Sequence, residues 1–232
     1  FKFKQGGLNP MPKHTFANGF TTDFEYIKAE TCKTQKFTLI YTHGFCSDPW
    51  GRKPEEIKKW CIKNDISFYR YELAGHGSDI ANFEKTDINT WKNQILDIID
   101  TIIQGPVVVA GASLGGWLSL LAAVARPQRV SGVLGLAAAP DFTKEHEETS
   151  TIEQKEALQR NGRIIYEESG FQFVITKQLI DSGKENLLLD KPVIPINCPV
   201  TLIQGMQDES VDWLKAVKLA EKLTSRQVLL KL

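Results

Sequence analysis

Two kinds of apolar pattern recur along this chain. Short runs rich in β-branched and aromatic residues read as strands: Phe37–Thr42, Ser67–Tyr71, Val107–Ala110, Val130–Leu136, Val200–Gln204 and Gln227–Leu230. Between them apolar residues recur at helical spacing. Glu55–Lys63 follows Pro54 and aligns Ile57, Trp60 and Cys61, and Asn89–Ile103 aligns Trp91, Ile95, Ile98 and Ile102. Leu114–Ala125 is apolar on every side, which predicts a fully buried helix, and a last helix sets Trp213, Val217 and Ala220 inward. Phe16–Phe20 and Phe24–Ala29 suggest an antiparallel hairpin at one edge.

Strands that alternate with helices imply right-handed crossovers and a mainly parallel sheet covered on both faces. The alternation breaks between Asp141 and Lys191, a stretch rich in acidic residues and glutamine with a capping-box pattern at Ser150 and Glu153. It is read as a small, mostly helical cap inserted over one end of the sheet. That gives one domain, with a core of residues 1–140 and 192–232 and a cap of 141–191. Pro106–Ala125 has the hydropathy of a membrane span. The run Gly111–Gly116 in its middle would break such a helix, so it is read as a buried strand feeding a buried helix.

Composition narrows the function classes. The 232 residues carry 28 basic and 28 acidic side chains, which gives no reason to expect nucleic acid as a partner. The four cysteines, at 32, 46, 61 and 198, form no CxxC pair and read as reduced thiols rather than a disulfide frame or zinc site. No cofactor is called for, and a cytoplasmic location is expected, with the mitochondrial matrix as the alternative.

The candidate chemistry begins at Gly111-Ala112-Ser113-Leu114-Gly115. A sharp turn from strand to helix strains the serine backbone, tolerates only glycine-sized neighbours, and sets the hydroxyl at the positive end of a helix dipole. Tyr41-Thr42-His43-Gly44-Phe45 ends an early strand. Its glycine lets the chain fold back so that the Phe45 N–H joins that of Leu114 opposite a developing oxyanion. His43 reads as orienting that loop. Gln204-Gly205-Met206-Gln207-Asp208 puts a carboxylate on the same rim, where it suits a triad acid, although Ser210 and Asp212 also suit it to a turn or helix cap. Asp141 is the second candidate for the acid. His76 reads as a turn residue, His146 as part of a solvated cap surface, and Trp117 as either pocket lining or packing.

These pieces resemble the α/β-hydrolase family of serine hydrolases, close to its mitochondrial palmitoyl-protein thioesterase and mycophenolic acid acyl-glucuronide esterase branch and their bacterial relatives. The matching residues are His43-Gly44-Phe45 with Ser47-Asp48, the Gly75–Phe83 turn, Gly111–Leu118, Ala125-Arg126-Pro127, Cys198-Pro199-Val200, and Gly205-Met206 with Asp208. The resemblance implies Ser113 as nucleophile, Asp208 as acid, and Phe45 and Leu114 as oxyanion donors. It also implies a histidine, in an Asp-His pair, after Leu232, without which the chain would be close to inactive. The expected activity is hydrolysis of a carboxylic ester or thioester on a small molecule or acyl-protein. A non-catalytic binding protein, or a peptidase or carbon–carbon hydrolase on the same fold, are the rival readings.

Overall fold

The computed structural model describes residues 11–30, 37–168 and 171–232, so Cys32 lies outside the described residues. The strands are β1 (Lys13–Thr15), β2 (Thr21–Ile27), β3 (Thr38–Thr42), β4 (Ser67–Tyr71), β5 (Val107–Ala112), β6 (Val130–Leu136), β7 (Arg163–Glu168), β8 (Phe171–Thr176), β9 (Val200–Ile203) and β10 (Val228–Lys231). Eight of them form one sheet in the order β1-β2-β4-β3-β5-β6-β9-β10. From β4 to β10 every pairing is parallel, and β1 and β2 add an antiparallel edge. The edge hairpin turns at Phe16–Phe20, where the sequence pattern suggested a strand. The N–H of Phe16 bonds to the carbonyl of Phe20, Gly19 takes a φ of 87°, and Phe16 is a buried anchor.

The helices are α1 (Arg52–Lys63), α2 (Ile88–Asp97), α3 (Leu114–Ala125), α4 (Phe142–Thr149), α5 (Ile152–Asn161), α6 (Lys177–Glu185) and α7 (Trp213–Lys222), with a 3-10 segment at Gly77–Lys85. Alternate residues of the central strands face opposite ways, as a pleat requires. Ile40, Tyr69, Val107 and Val109 join Trp91 and Trp117 in the main core, whereas Leu39, Tyr41, Phe68 and Ala110 meet Cys61 of α1 on the other face. The long apolar run is β5 followed by α3. Among the described residues no helix is long and apolar enough to cross a membrane. In α7 the buried residues are Ala216 and Leu219, one step from the face expected, with Trp213 and Val217 only half-buried.

Between β6 and β9 lie α4, α5 and α6 and also the antiparallel hairpin β7–β8, a strand pair that the sequence pattern did not suggest. Its capping box falls one residue later than the sequence pattern suggested. The Thr151 hydroxyl accepts the Gln154 N–H at 3.2 Å, and the Gln154 amide oxygen accepts the Thr151 N–H at 2.8 Å. Ser150 instead bonds the His146 carbonyl and the Tyr166 hydroxyl.

The junction of β5 and α3 positions everything that follows. Ser113 sits there with φ 51° and ψ −118°. A Cβ on Gly111 would lie 2.1 Å from the carbonyl oxygen of Gly115, and one on Gly115 would lie 2.1 Å from that of Thr42. Both positions need glycine because backbone meets backbone, and α3 is thereby seated directly on the end of β3. We expect Gly115→Ala to lose about 3 kcal/mol or more, since neither wall can give way. Gly105→Ala, at a φ of 76° with nothing within 4 Å, should lose only about 1 kcal/mol. Urea unfolding of the two variants checks this, and equal losses would show that the α3–β3 contact is not tight.

Candidate active site

Register brings the two key loops together. β3 and β5 pair with Thr42 opposite Gly111, so the residues just beyond each strand, Gly44 and Ser113, become neighbours. A Cβ on Gly44 would stand 3.4 Å from the Ser113 Cβ and 4.0 Å from its Oγ, in van der Waals contact with the serine side chain. This is also where strand order reverses, with β4 on one side of β3 and β5 on the other, the place where open parallel sheets bind ligands. Ser113 is half-buried and borders a cavity of about 530 Å³. Its carbonyl accepts the N–H groups of Gly116 and Ala139, and its own N–H bonds to the Leu136 carbonyl, so the backbone is fixed from three sides. The N–H groups of Phe45 and Leu114 find no acceptor among the described residues.

Two buried histidines shape the loop after β3. The Leu73 N–H donates to His43 Nε2 at 3.0 Å, and His43 Nδ1 bonds to the Gly44 carbonyl at 2.8 Å. The Cys46 N–H donates to His76 Nε2 at 3.2 Å, and His76 Nδ1 bonds to the Ala74 carbonyl at 3.1 Å. Each ring thus carries its proton on Nδ1 and accepts on Nε2, a neutral tautomer set by backbone on both sides. The rings meet edge to face, with centroids 5.0 Å apart. Burial, with His76 alongside, lowers the pKa of His43 to about 3, and burial lowers that of His76 too. His43 orients the loop, as its sequence context suggested. His76 does more than shape its own turn, because it holds the backbone of Cys46, whose φ is 51°.

The two candidate acids differ in what they hold. Both carboxylate oxygens of Asp141 accept the Leu188 N–H, at 2.9 and 3.1 Å, and Oδ2 also takes the Leu189 N–H at 2.7 Å. Burial still raises its pKa, but its lone pairs are engaged in joining the two ends of the insertion. Asp208 follows β9 and uses only Oδ1 locally, accepting the N–H groups of Ser210 and Val211 at 2.9 and 3.0 Å. The helix-cap role at α7 falls to Asp212, which accepts the Leu214 N–H. Glu209, Ser210 and Val211, directly after Asp208, line the Ser113 cavity.

The opposite wall comes from the insertion and was largely missed in the sequence. His146, read as part of a solvated surface, in fact lines the Ser113 cavity and contacts the rings of Phe142, Tyr166 and Phe173 at 5.9, 5.0 and 5.8 Å. Phe142 and His146, one turn apart on α4, were the available signal. Phe45 joins this aromatic wall against Phe142 and Phe173. Lys215 of α7 pairs with Glu145 of α4 at 2.6 Å, a contact between α7 and the insertion at the cavity's edge. Trp117 proves to be packing. It is fully buried, donates to the Asn186 carbonyl at 3.2 Å, and meets Phe142 edge-on.

Comparison with known proteins agrees with this architecture. Residues 39–216 match the family model described as the alpha/beta hydrolase family. The mitochondrial palmitoyl-protein thioesterase ABHD10 of Rattus norvegicus is 32% identical over 194 residues, covering 82% of this chain and 65% of the rat protein. The chain thus spans just under two thirds of that relative's length. Among solved structures, alpha/beta hydrolase domain-containing protein 10 from mouse superposes with a TM-score of 0.82 at 27% identity, covering 97% of this chain and 89% of that one. A putative hydrolase from Agrobacterium vitis S4 superposes with a TM-score of 0.86 at 25% identity, covering 96% and 90%. The sheet order, the serine between β5 and α3, and these matches together make the chain a member of the alpha/beta hydrolase family.

Proposed function

We propose that Ser113 is the nucleophile of a serine hydrolase that cleaves a carboxylic ester or thioester through an acyl-enzyme. The observation that carries the reading is a serine held at positive φ on the N-terminus of a twelve-residue buried helix, beside a loop whose Phe45 N–H, like that of Leu114, is unspent. Ser113 attacks the acyl carbon, the oxyanion is met by these two N–H groups, and the alcohol or thiol departs; water then releases the acid. Asp208 is the acid that orients the imidazole serving as base. In this fold the chain order is serine, acid, histidine, so the base belongs after residue 208. His43 and His76 are not that base, because each Nε2 already accepts a backbone N–H. Asp141 is not the acid, because its oxygens bind Leu188 and Leu189.

The relatives' name, palmitoyl-protein thioesterase, supports an acyl thioester on a protein or small molecule as substrate. Their mitochondrial designation favours that compartment, and the cytoplasmic expectation draws no support from them. We take residues 141–191 as the cap over a core of 1–140 and 192–232.

On the gene product as encoded, a short alkyl fluorophosphonate should label Ser113, and Ser113→Ala should abolish labelling. Wild-type protein that stays unlabelled would point instead to a binding module on this fold. Asp208→Asn should lower kcat by about four orders of magnitude, by analogy with triad acids generally. A kcat within tenfold of wild type would remove Asp208 from the mechanism.

The buried histidines predict a pH dependence of stability. The folded pKa of His43, about 3, lies below the ordinary value of 6.5, so the unfolded chain binds a proton that the folded one excludes. Its contribution is whole above pH 6.5 and is lost at up to about 1.4 kcal/mol per unit as the pH falls towards 3. His43→Gln should therefore show a shallower fall in unfolding free energy between pH 6.5 and 4, by close to one proton. Identical slopes in the two proteins would mean that His43 titrates normally.

A further inference from the structure

Ser113 borders a second, smaller cavity. It measures about 210 Å³, lies between the loop after β3 and the first turn of α1, and shares only Phe45 and Ser113 with the larger one. We propose that this smaller cavity receives a carboxylate carried by the acyl group, so that the preferred substrates are half-esters or half-thioesters of short dicarboxylic acids. This rests on the Ser113 hydrolase reading and adds to it the acyl class and the residues that select it.

Tyr41 points to a ligand. It is only 2% exposed, yet its hydroxyl has no hydrogen-bond partner among the described residues. Unlike the sealed hydroxyl of Tyr69 it keeps some accessible surface, and the cavity it lines lies in front of it. Burial, with Asp48 adding to it, pushes the Tyr41 pKa up to about 12, so at neutral pH the phenol is a donor in want of an acceptor.

Charge and backbone say what that ligand is. Arg52 and Lys53, both exposed at the rim, line the cavity and make no hydrogen bond or ion pair through their side chains among the described residues. Glu56, one turn along from Arg52, pairs with Lys59 at 2.8 Å. Asp48 sets one negative charge against these two cations, and its Oδ1 accepts the Trp50 N–H at 2.7 Å. Gly51 stands at the N-cap of α1 without a capping side chain, so the Arg52 and Lys53 N–H groups find no acceptor among the described residues. The positive end of a twelve-residue helix thus opens on the same space as the Tyr41 hydroxyl. The larger cavity suits an anion less, because Glu145 is paired with Lys215 and Glu209 adds a negative charge.

Direction assigns the carboxylate to the acyl side. The base that protonates the leaving atom is oriented by Asp208, whose neighbours Glu209, Ser210 and Val211 line the larger cavity. The leaving group therefore occupies that cavity. The acyl substituent, on the other side of the carbonyl carbon, runs past Gly44 into the smaller one.

The test uses the gene product as encoded, carrying Ser113→Ala so that it binds without turnover. Calorimetry compares the S-ethyl half-thioester of succinic acid with the same molecule ending in a carboxamide. A second pair, S-butanoyl mercaptoacetate and S-butanoyl mercaptoacetamide, places the same difference on the leaving side. The succinyl carboxylate should bind at least about tenfold more tightly than its amide, and Lys53→Gln, Arg52→Gln and Tyr41→Phe should each lower that preference about threefold or more. Tyr41→Phe removes a hydroxyl that bonds to nothing in the protein, so it should fold normally by circular dichroism. Lys63→Gln, at the far end of α1, should leave the preference unchanged. A preference near one overturns the proposal, as does one that none of the three substitutions moves or that Lys63→Gln lowers equally. A larger preference in the mercaptoacetate pair overturns it too. Fluorophosphonate labelling of wild-type Ser113 reads the hydrolase assignment separately, so labelling without a carboxylate preference sinks this proposal alone.

Discussion

The structure depends on one backbone contact, the seating of the first turn of α3 on the last carbonyl of β3. Thr42 opposes Gly111 across the ladder, and the Gly115 Cα lies against the Thr42 oxygen with no space for a methyl group. That contact fixes where two chain segments leave the sheet. One carries a hydroxyl and the other an unspent amide, and their relative position follows from strand register rather than from any side-chain interaction. Rigidity of this kind suits an oxyanion site, whose donors must already point at the charge before it forms. The strain at Ser113, of order 1–3 kcal/mol, is tolerated because the buried helix and the parallel strands around it cannot relax.

A second layer of control comes from two buried imidazoles bonded to main chain. His43 and His76 are walled in, mutually in contact, and engaged at both nitrogens by main chain. They behave as polar rivets. Each supplies an acceptor to a main-chain N–H, of Leu73 and of Cys46, which explains why polar rings are retained in a place that would otherwise favour hydrocarbon. Keeping them neutral also keeps positive charge away from the backbone behind the serine.

The core was legible in the sequence because its strands and helices are buried and nearly uniform in hydropathy. Ser67–Tyr71, Val130–Leu136 and Leu114–Ala125 form over the spans their patterns gave. The serine turn was legible because its glycines answer a steric demand that no other residue meets. The insertion was not. Arg163–Glu168 mixes charged and apolar residues without a clean period, and it becomes a strand only through pairing with Phe171–Thr176. His146 was misjudged because three neighbouring glutamates suggested solvent, although Phe142 one turn earlier faces the same cavity. At the edge hairpin, Phe16 looked like strand because it is apolar, yet it is buried from a turn. In each case the deciding partner is distant in sequence, which local pattern cannot supply.

Asp141 has a broader consequence. One carboxylate receives the main chain at the far end of the insertion, so some fifty residues leave and re-enter the sheet at a single clasp. The clasp fixes where the segment starts and finishes, while Trp117 of α3, set against Phe142 and the Asn186 carbonyl, ties what lies between to the core. The segment's length can change between the two ends without moving β6 or β9, whereas a change at Phe142 or Phe173 reaches the Ser113 cavity directly. Such an arrangement separates the segment that shapes what reaches the cavity from the strands that hold the reacting serine.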